Sequence, residues 1–176
     1  MLSIGLDLSL VGTGVVVLDG EEVIKKQLIR SKKNGGKPID ELNRIKKIVQ
    51  EIEIIVNEYK PTIAIIENLA FMARNTTALT QLAGLSYFCR AMLYDLDIKF
   101  YMCAPTSLKK FCTGKGNAKK DIVILSVFKK WGFSSDNSDI ADAYVLARIG
   151  ESIINNNVKL TKTQIEVIML LKHQLL

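Results

Sequence analysis

The sequence predicts an α/β domain built on a five-stranded mixed sheet flanked by helices. Three observations predict it. The first thirty residues hold three runs of alternating or continuous apolar, β-branched residues, with the hairpin signal Asp19-Gly20 between the second and third. From Ile39 to Tyr59 the apolar residues change to helical spacing. Beyond that, short apolar runs alternate with helix-length segments, the order that lays strands side by side in parallel.

Residues 2–8, 13–18 and 22–30 read as an antiparallel three-strand meander, closed by the polar loop SKKNGGKP (31–38). Ile39, Leu42, Ile45, Ile48, Val49, Ile52, Ile55 and Val56 form one helical face, which ends at Tyr59-Lys60-Pro61. TIAIIE (62–67) has the continuous apolar character of a strand buried on both faces. A helix over about 75–95 follows, its apolar face made by Ala78, Leu79, Leu82, Ala83, Leu85 and Phe88. IKFYMC (98–103) is a further strand. Pro105 opens a short helix, CTGKGNAKKD leads into a helix over about 118–131, and WGFSSDN is a turn. SDIADAYVLA then begins a helix to about residue 154. NNN (155–157) is the one candidate linker, dividing a domain at 1–155 from an appended segment at 158–176. That segment has a Thr161-x-x-Gln164 capping box and apolar Ile165, Ile168, Met169 and Leu175, so it reads as a helix packed on the domain or on a partner.

At 176 residues the chain is one domain long enough to bury a core, and with 48% apolar and 24% charged residues it is globular in composition. No apolar run is long enough to span a membrane. MLSIGLDLSL lacks a basic n-region and reads as a strand, so a cytosolic setting is expected. Cys89, Cys103 and Cys112 are widely spaced and the single His173 is remote, which matches neither a zinc motif nor a disulfide framework. Any bound metal would therefore take carboxylate oxygens, the ligands of Mg²⁺ or Mn²⁺. The net charge of +6 is uneven: Lys99, 109, 110, 115, 119, 120, 129 and 130 face a single acid, Asp121, a stripe suited to a polyanion.

Four acids stand out against this background. Asp7 lies in the first strand and Glu67 ends TIAIIE, positions where a carboxylate is costly to bury unpaired. Asp139 and Asp142 are three apart on a helix and share a face, where like charges repel unless a cation lies between them. If the strands are neighbours and the helix packs over them, four carboxylates converge. Divalent cations filling that space would form the two-metal clamp used for in-line attack at a phosphodiester.

The segments IGLDLSLVGTG, IIENLAFMARN, PTSLKKFCTGKGNAKKD and SDIADAYVLA resemble, in order and spacing, the motifs of RuvC-type Holliday-junction resolvases. The form looks closest to the RuvC-like endodeoxyribonucleases of phages and prophages, because Leu8-Ser9 follows Asp7 where cellular members usually have proline and glycine. The resemblance covers about residues 1–152. It implies a ribonuclease-H-like fold and a homodimer that makes paired cuts in a four-way DNA junction, with Mg²⁺ or Mn²⁺, two per active site, as cofactor. It also implies a setting in a bacterial or phage-infected cell. The family's metal-binding acids fall on Asp7, Glu67, Asp139 and Asp142. Its functional lysines fall on Lys109 and on Lys120, a catalytic group by this resemblance, while Lys119 is a phosphate contact on charge grounds. The phenylalanine that stacks on junction bases corresponds to Phe71, displaced by one residue through Ala70. The helix after the glutamate, about 75–95, would supply the dimer contacts.

Two other readings use some of the same residues. The four acids would equally serve a ribonuclease-H-like nuclease acting on less specific branched DNA, RNA–DNA hybrid or structured RNA. DLSLVGTG also resembles the first phosphate-binding turn of the actin–hexokinase ATPases. Those proteins enclose their nucleotide between two such domains, and this chain has the length of one.

Overall fold

The computed structural model of the chain describes residues 1–33, 35–69, 76–155 and 157–175. Strands β1 (Leu2–Asp7), β2 (Gly12–Asp19) and β3 (Glu22–Arg30) form the antiparallel meander. β4 (Ile63–Glu67) and β5 (Lys99–Cys103) join parallel to β1, giving the order β3-β2-β1-β4-β5. β2 and β3 are joined by the two-residue turn Gly20-Glu21, and Gly20 takes the left-handed φ of 57° that such a turn needs. The observed strands match those expected to within a residue or two.

Because side chains alternate along a strand, the sheet separates two cores. Ile4, Leu6, Val15, Val17, Ala64 and Ile66 pack on one face beneath α1 (Pro38–Tyr59) and α2 (Thr76–Asp95). Val16, Leu18, Ile63, Ile65, Tyr101 and Cys103 pack on the other. That second face is covered by α3 (Pro105–Thr113), α4 (Lys120–Trp131), α5 (Ser138–Ile154) and α6 (Lys162–Lys172). α5 crosses the centre and touches β1, β2, β3 and β4. It lies so close that a Cβ on Gly5 would stand 2.0 Å from the Ala143 carbonyl oxygen, and one on Gly14 would stand 2.1 Å from that of Asp139. Only glycine permits this approach. Ser3 locks it by donating to the Ala147 carbonyl at 2.9 Å.

Two sequence expectations are corrected. On α1, Ile39 and Leu42 are exposed, and the buried face begins at Ile45, the first residue of the helix to enter the core beneath the sheet. On α6 the capping box forms as expected: Gln164 N–H donates to Thr161 Oγ1 and Thr161 N–H donates to Gln164 Oε1. Ile165 and Met169, however, are exposed, while Gln164, Val167, Ile168 and Leu171 are buried. The inward stripe, spaced i, i+3, i+4, i+7, is the one that meets α3.

Candidate active site

Leu6 pairs with Ile66 in the parallel ladder, so Asp7 and Glu67 close two neighbouring strands at the same level. Strand alternation turns both toward α5. The start of α5 is set by Asn137, whose Oδ1 accepts from Ile140 N–H at 3.0 Å as an N-cap. Asp139 follows in the first turn and Asp142 one turn later on the same face. A Cβ on Gly12 would lie 3.3 Å from Asp139 Oδ2, so the small residues of β2 make room for this carboxylate. The four acids named from the sequence therefore converge at the carboxyl ends of β1 and β4 beneath the amino end of α5.

Their electrostatics show the crowding. Burial pushes the Asp7 carboxyl up to about 9; the Glu67 charge and hydrogen bond, and the charges of Asp142 and Asp139, push the same way. Burial, then Glu67, raises Asp142 to about 6, against the pull of Lys120 and Lys109. Glu67 is also raised by burial, although its hydrogen bond with Asp7 and the charges of Lys120 and Lys109 act against this. These are carboxyls short of positive charge. An all-oxygen donor set with that deficit fits a hard divalent cation in chemistry and charge. Among the described residues, no three His, Cys, Asp or Glu side chains are drawn together as the ligands of one ion.

Lys109, on α3, and Lys120, at the first position of α4, act electrostatically on both Glu67 and Asp142. Lys120 Nζ donates to Ser138 Oγ at 3.4 Å, and Ser138 Oγ donates to Asp139 Oδ1 at 3.2 Å. Ser138 is thus a link between lysine and acid that sequence reasoning missed; its position beside Asp139 at a capped helix start was the available signal. Lys119 is the exposed N-cap residue of α4. Phe71 lies outside the described residues.

The lysine stripe does not form one face. Lys110 turns away to Glu166, Lys99 begins β5 at the end of the sheet opposite the acids, and Lys130 lies at the far end of α4 from Lys120. The three cysteines are buried and unpaired, and burial raises their thiols, those of Cys89 and Cys112 to about 12.

The mixed sheet with its central crossing helix, and the acids at the strand ends, define a protein of the ribonuclease-H-like class. Comparison with known proteins narrows this. The family model for crossover junction endodeoxyribonuclease RuvC matches residues 2–149, and the chain belongs to that family. It is 30% identical over 166 residues to the crossover junction endodeoxyribonuclease RuvC of Wigglesworthia glossinidia brevipalpis, covering 89% of this chain and 97% of that protein. The corresponding protein of Chloroherpeton thalassium is 28% identical over 152 residues, 85% of this chain and 81% of the other. Among solved structures, the RuvC of T. thermophilus in complex with a Holliday junction substrate superposes with a TM-score of 0.72 at 18% identity, over 84% of this chain and 90% of that one.

Proposed function

We propose that this protein is a structure-selective endodeoxyribonuclease that resolves four-way DNA junctions by metal-dependent hydrolysis of paired phosphodiesters. The observation that carries this is the meeting of Asp7, Glu67, Asp139 and Asp142 in one cleft, with Lys109 and Lys120 acting on it, in a chain of the RuvC family. The four carboxylates would hold Mg²⁺ or Mn²⁺, moving inward to do so. When bound, a pair of such ions lowers the pKa of an attacking water and neutralises charge on the leaving 3′ oxygen.

The rest is the work of the chain's own residues. The paired ends of β1 and β4 hold the backbones of Asp7 and Glu67 level with each other, so only their side chains need move to take up an ion. Lys120, beside Ser138 and Asp139, is placed to hold a non-bridging phosphate oxygen and to stabilise charge that grows during cleavage. Lys109 is its counterpart on α3. Lys119 contacts a neighbouring phosphate, and Phe71 stacks on a base at the junction. Two copies would pair through α2, where Tyr87 and Tyr94, seven positions apart, are both exposed beside Phe88, giving the two-fold symmetry that paired cuts require. The bacterial relatives support a cytoplasmic setting.

An end-labelled cleavage assay tests this on an immobile four-way junction, with Mg²⁺ and Mn²⁺ separately, and with linear duplex and RNA–DNA hybrid alongside. Nicks at symmetry-related positions in the junction alone are expected. Preferred cutting of the hybrid or the duplex would keep the acidic site and replace the substrate.

A further inference from the structure

Helix α6 lies beyond residue 149, where the match to the family ends. It grips one corner of the fold, the passage from β5 into α3, in three ways. Val167, Ile168 and Leu171 are buried in the same core as Leu108 and Phe111 of α3. Glu166 Oε2 accepts from Lys110 Nζ at 2.8 Å. Just past the helix, Gln174 Oε1 accepts from Met102 N–H at 3.0 Å, and Gln174 Nε2 donates to the Met102 carbonyl at 2.7 Å. β5 is an edge strand, and this side-chain amide takes the place of the neighbouring strand that Met102 lacks.

Only Cys103 and Ala104 separate β5's Met102 from α3, so the two polar contacts hold the corner from both sides. Lys109 sits on α3 next to Lys110. Adjacent helical residues point about 100° apart, so with Lys110 turned to α6, Lys109 leaves α3 on a different side. The Lys110–Glu166 pair is about half exposed, with side-chain accessibilities of 39% and 45%, and such a pair adds little to stability. Its consequence is orientation.

We propose that Glu166 and Gln174 are positioning residues for the cleavage reaction: they fix the β5–α3 corner so that the Lys109 ammonium faces the acidic cleft. This rests on the reading of Lys109 as a group close to the scissile phosphate.

The test uses the full chain carrying Glu166→Ala and Gln174→Ala together, made both with Lys109 intact and with Lys109→Ala. Single-turnover cleavage, junction Kd and Tm are measured for each. With Lys109 intact, the pair should slow cleavage about tenfold, as small misplacements near reacting groups do, with Kd and Tm nearly unchanged. In the Lys109→Ala background the pair should have no further effect, the signature of action through that residue. Rescue supplies a second readout: Glu166→Lys should slow cleavage, and Glu166→Lys with Lys110→Glu should restore it. An equal loss in both backgrounds, or no loss in either, would overturn the proposal while leaving Lys109 as an active-site group. If Lys109→Ala cut at the wild-type rate, the reading of Lys109 and the proposal would fall together.

Discussion

Replacing Asp7 by asparagine should stabilise the metal-free protein while abolishing its cleavage. The Asp7 carboxyl is raised from 3.8 to about 9 by burial and by three neighbouring acids. At pH 7.5 the native state must hold that carboxyl protonated, whereas the unfolded chain releases the proton freely. At about 1.4 kcal/mol per pH unit over the interval from 3.8 to 7.5, the ceiling on this cost is about 5 kcal/mol. Relaxation and water entry reduce such burial penalties, so a gain of about 2 kcal/mol is expected from the neutral isostere. For a chain of this size that is a rise in Tm of about 4–8 °C. The native state binds more protons than the unfolded one between pH 3.8 and about 9, so wild-type stability is complete at the acid end and is lost as pH rises. Thermal melts in EDTA from pH 5 to 9 should therefore show the Asn variant's advantage widening with pH. Adding Mn²⁺ should narrow or reverse it, because the ion binds the wild-type native state. A variant less stable than wild type in EDTA, or an advantage independent of pH, would refute the claim that these carboxyls crowd one another.

Other perturbations probe other parts of the site. Lys120→Ala should slow single-turnover cleavage by about 10²-fold, as loss of a preorganised charge does, with a smaller change in junction Kd; a pure affinity loss would demote it to a phosphate clamp. Gly14→Ala would put a Cβ 2.1 Å from the Asp139 carbonyl oxygen, so α5 must lift. A loss of about 3 kcal/mol, seen as a Tm lower by about 6–12 °C, is expected together with impaired cutting. Junction affinity should fall with salt at a log–log slope steeper than about −2, from phosphate contacts by Lys109, Lys119 and Lys120; a flat response would exclude them as the DNA face.

Much of the architecture was legible because the relevant signals are local. Asp19-Gly20 specifies a tight turn, TIAIIE can be buried only in a central strand, and Thr161 with Gln164 caps its helix regardless of what the helix packs on. The four acids were legible because each breaks the pattern around it: two in apolar strands and two on one helical face. What was not legible depends on distance in space. Nothing in the spacing of α6 says that Val167 and Leu171, rather than Ile165 and Met169, turn inward, since either stripe would make an amphipathic helix; contact with α3 decides. The lysines from Lys99 to Lys130 form one basic stretch of sequence, but they are divided among β5, α3 and α4: Lys109 and Lys120 act on Glu67 and Asp142, whereas Lys110 pairs with Glu166. Gly5 and Gly14 look like ordinary strand glycines until α5 is laid across them, and Ser138, marked in the sequence by its place beside Asp139, becomes a link only when Lys120 arrives from another helix.

The most direct test of the central claim is a crystal of the wild-type protein soaked in Mn²⁺, with anomalous scattering used to locate the ions, and with Asp7→Asn as the control. Mn²⁺ should appear in the cleft, held by Asp7 together with Glu67, Asp139 or Asp142, and should be lost or depleted in the variant. Mn²⁺ bound only elsewhere, or unchanged occupancy in the variant, would contradict the assignment of these four carboxylates as a metal centre.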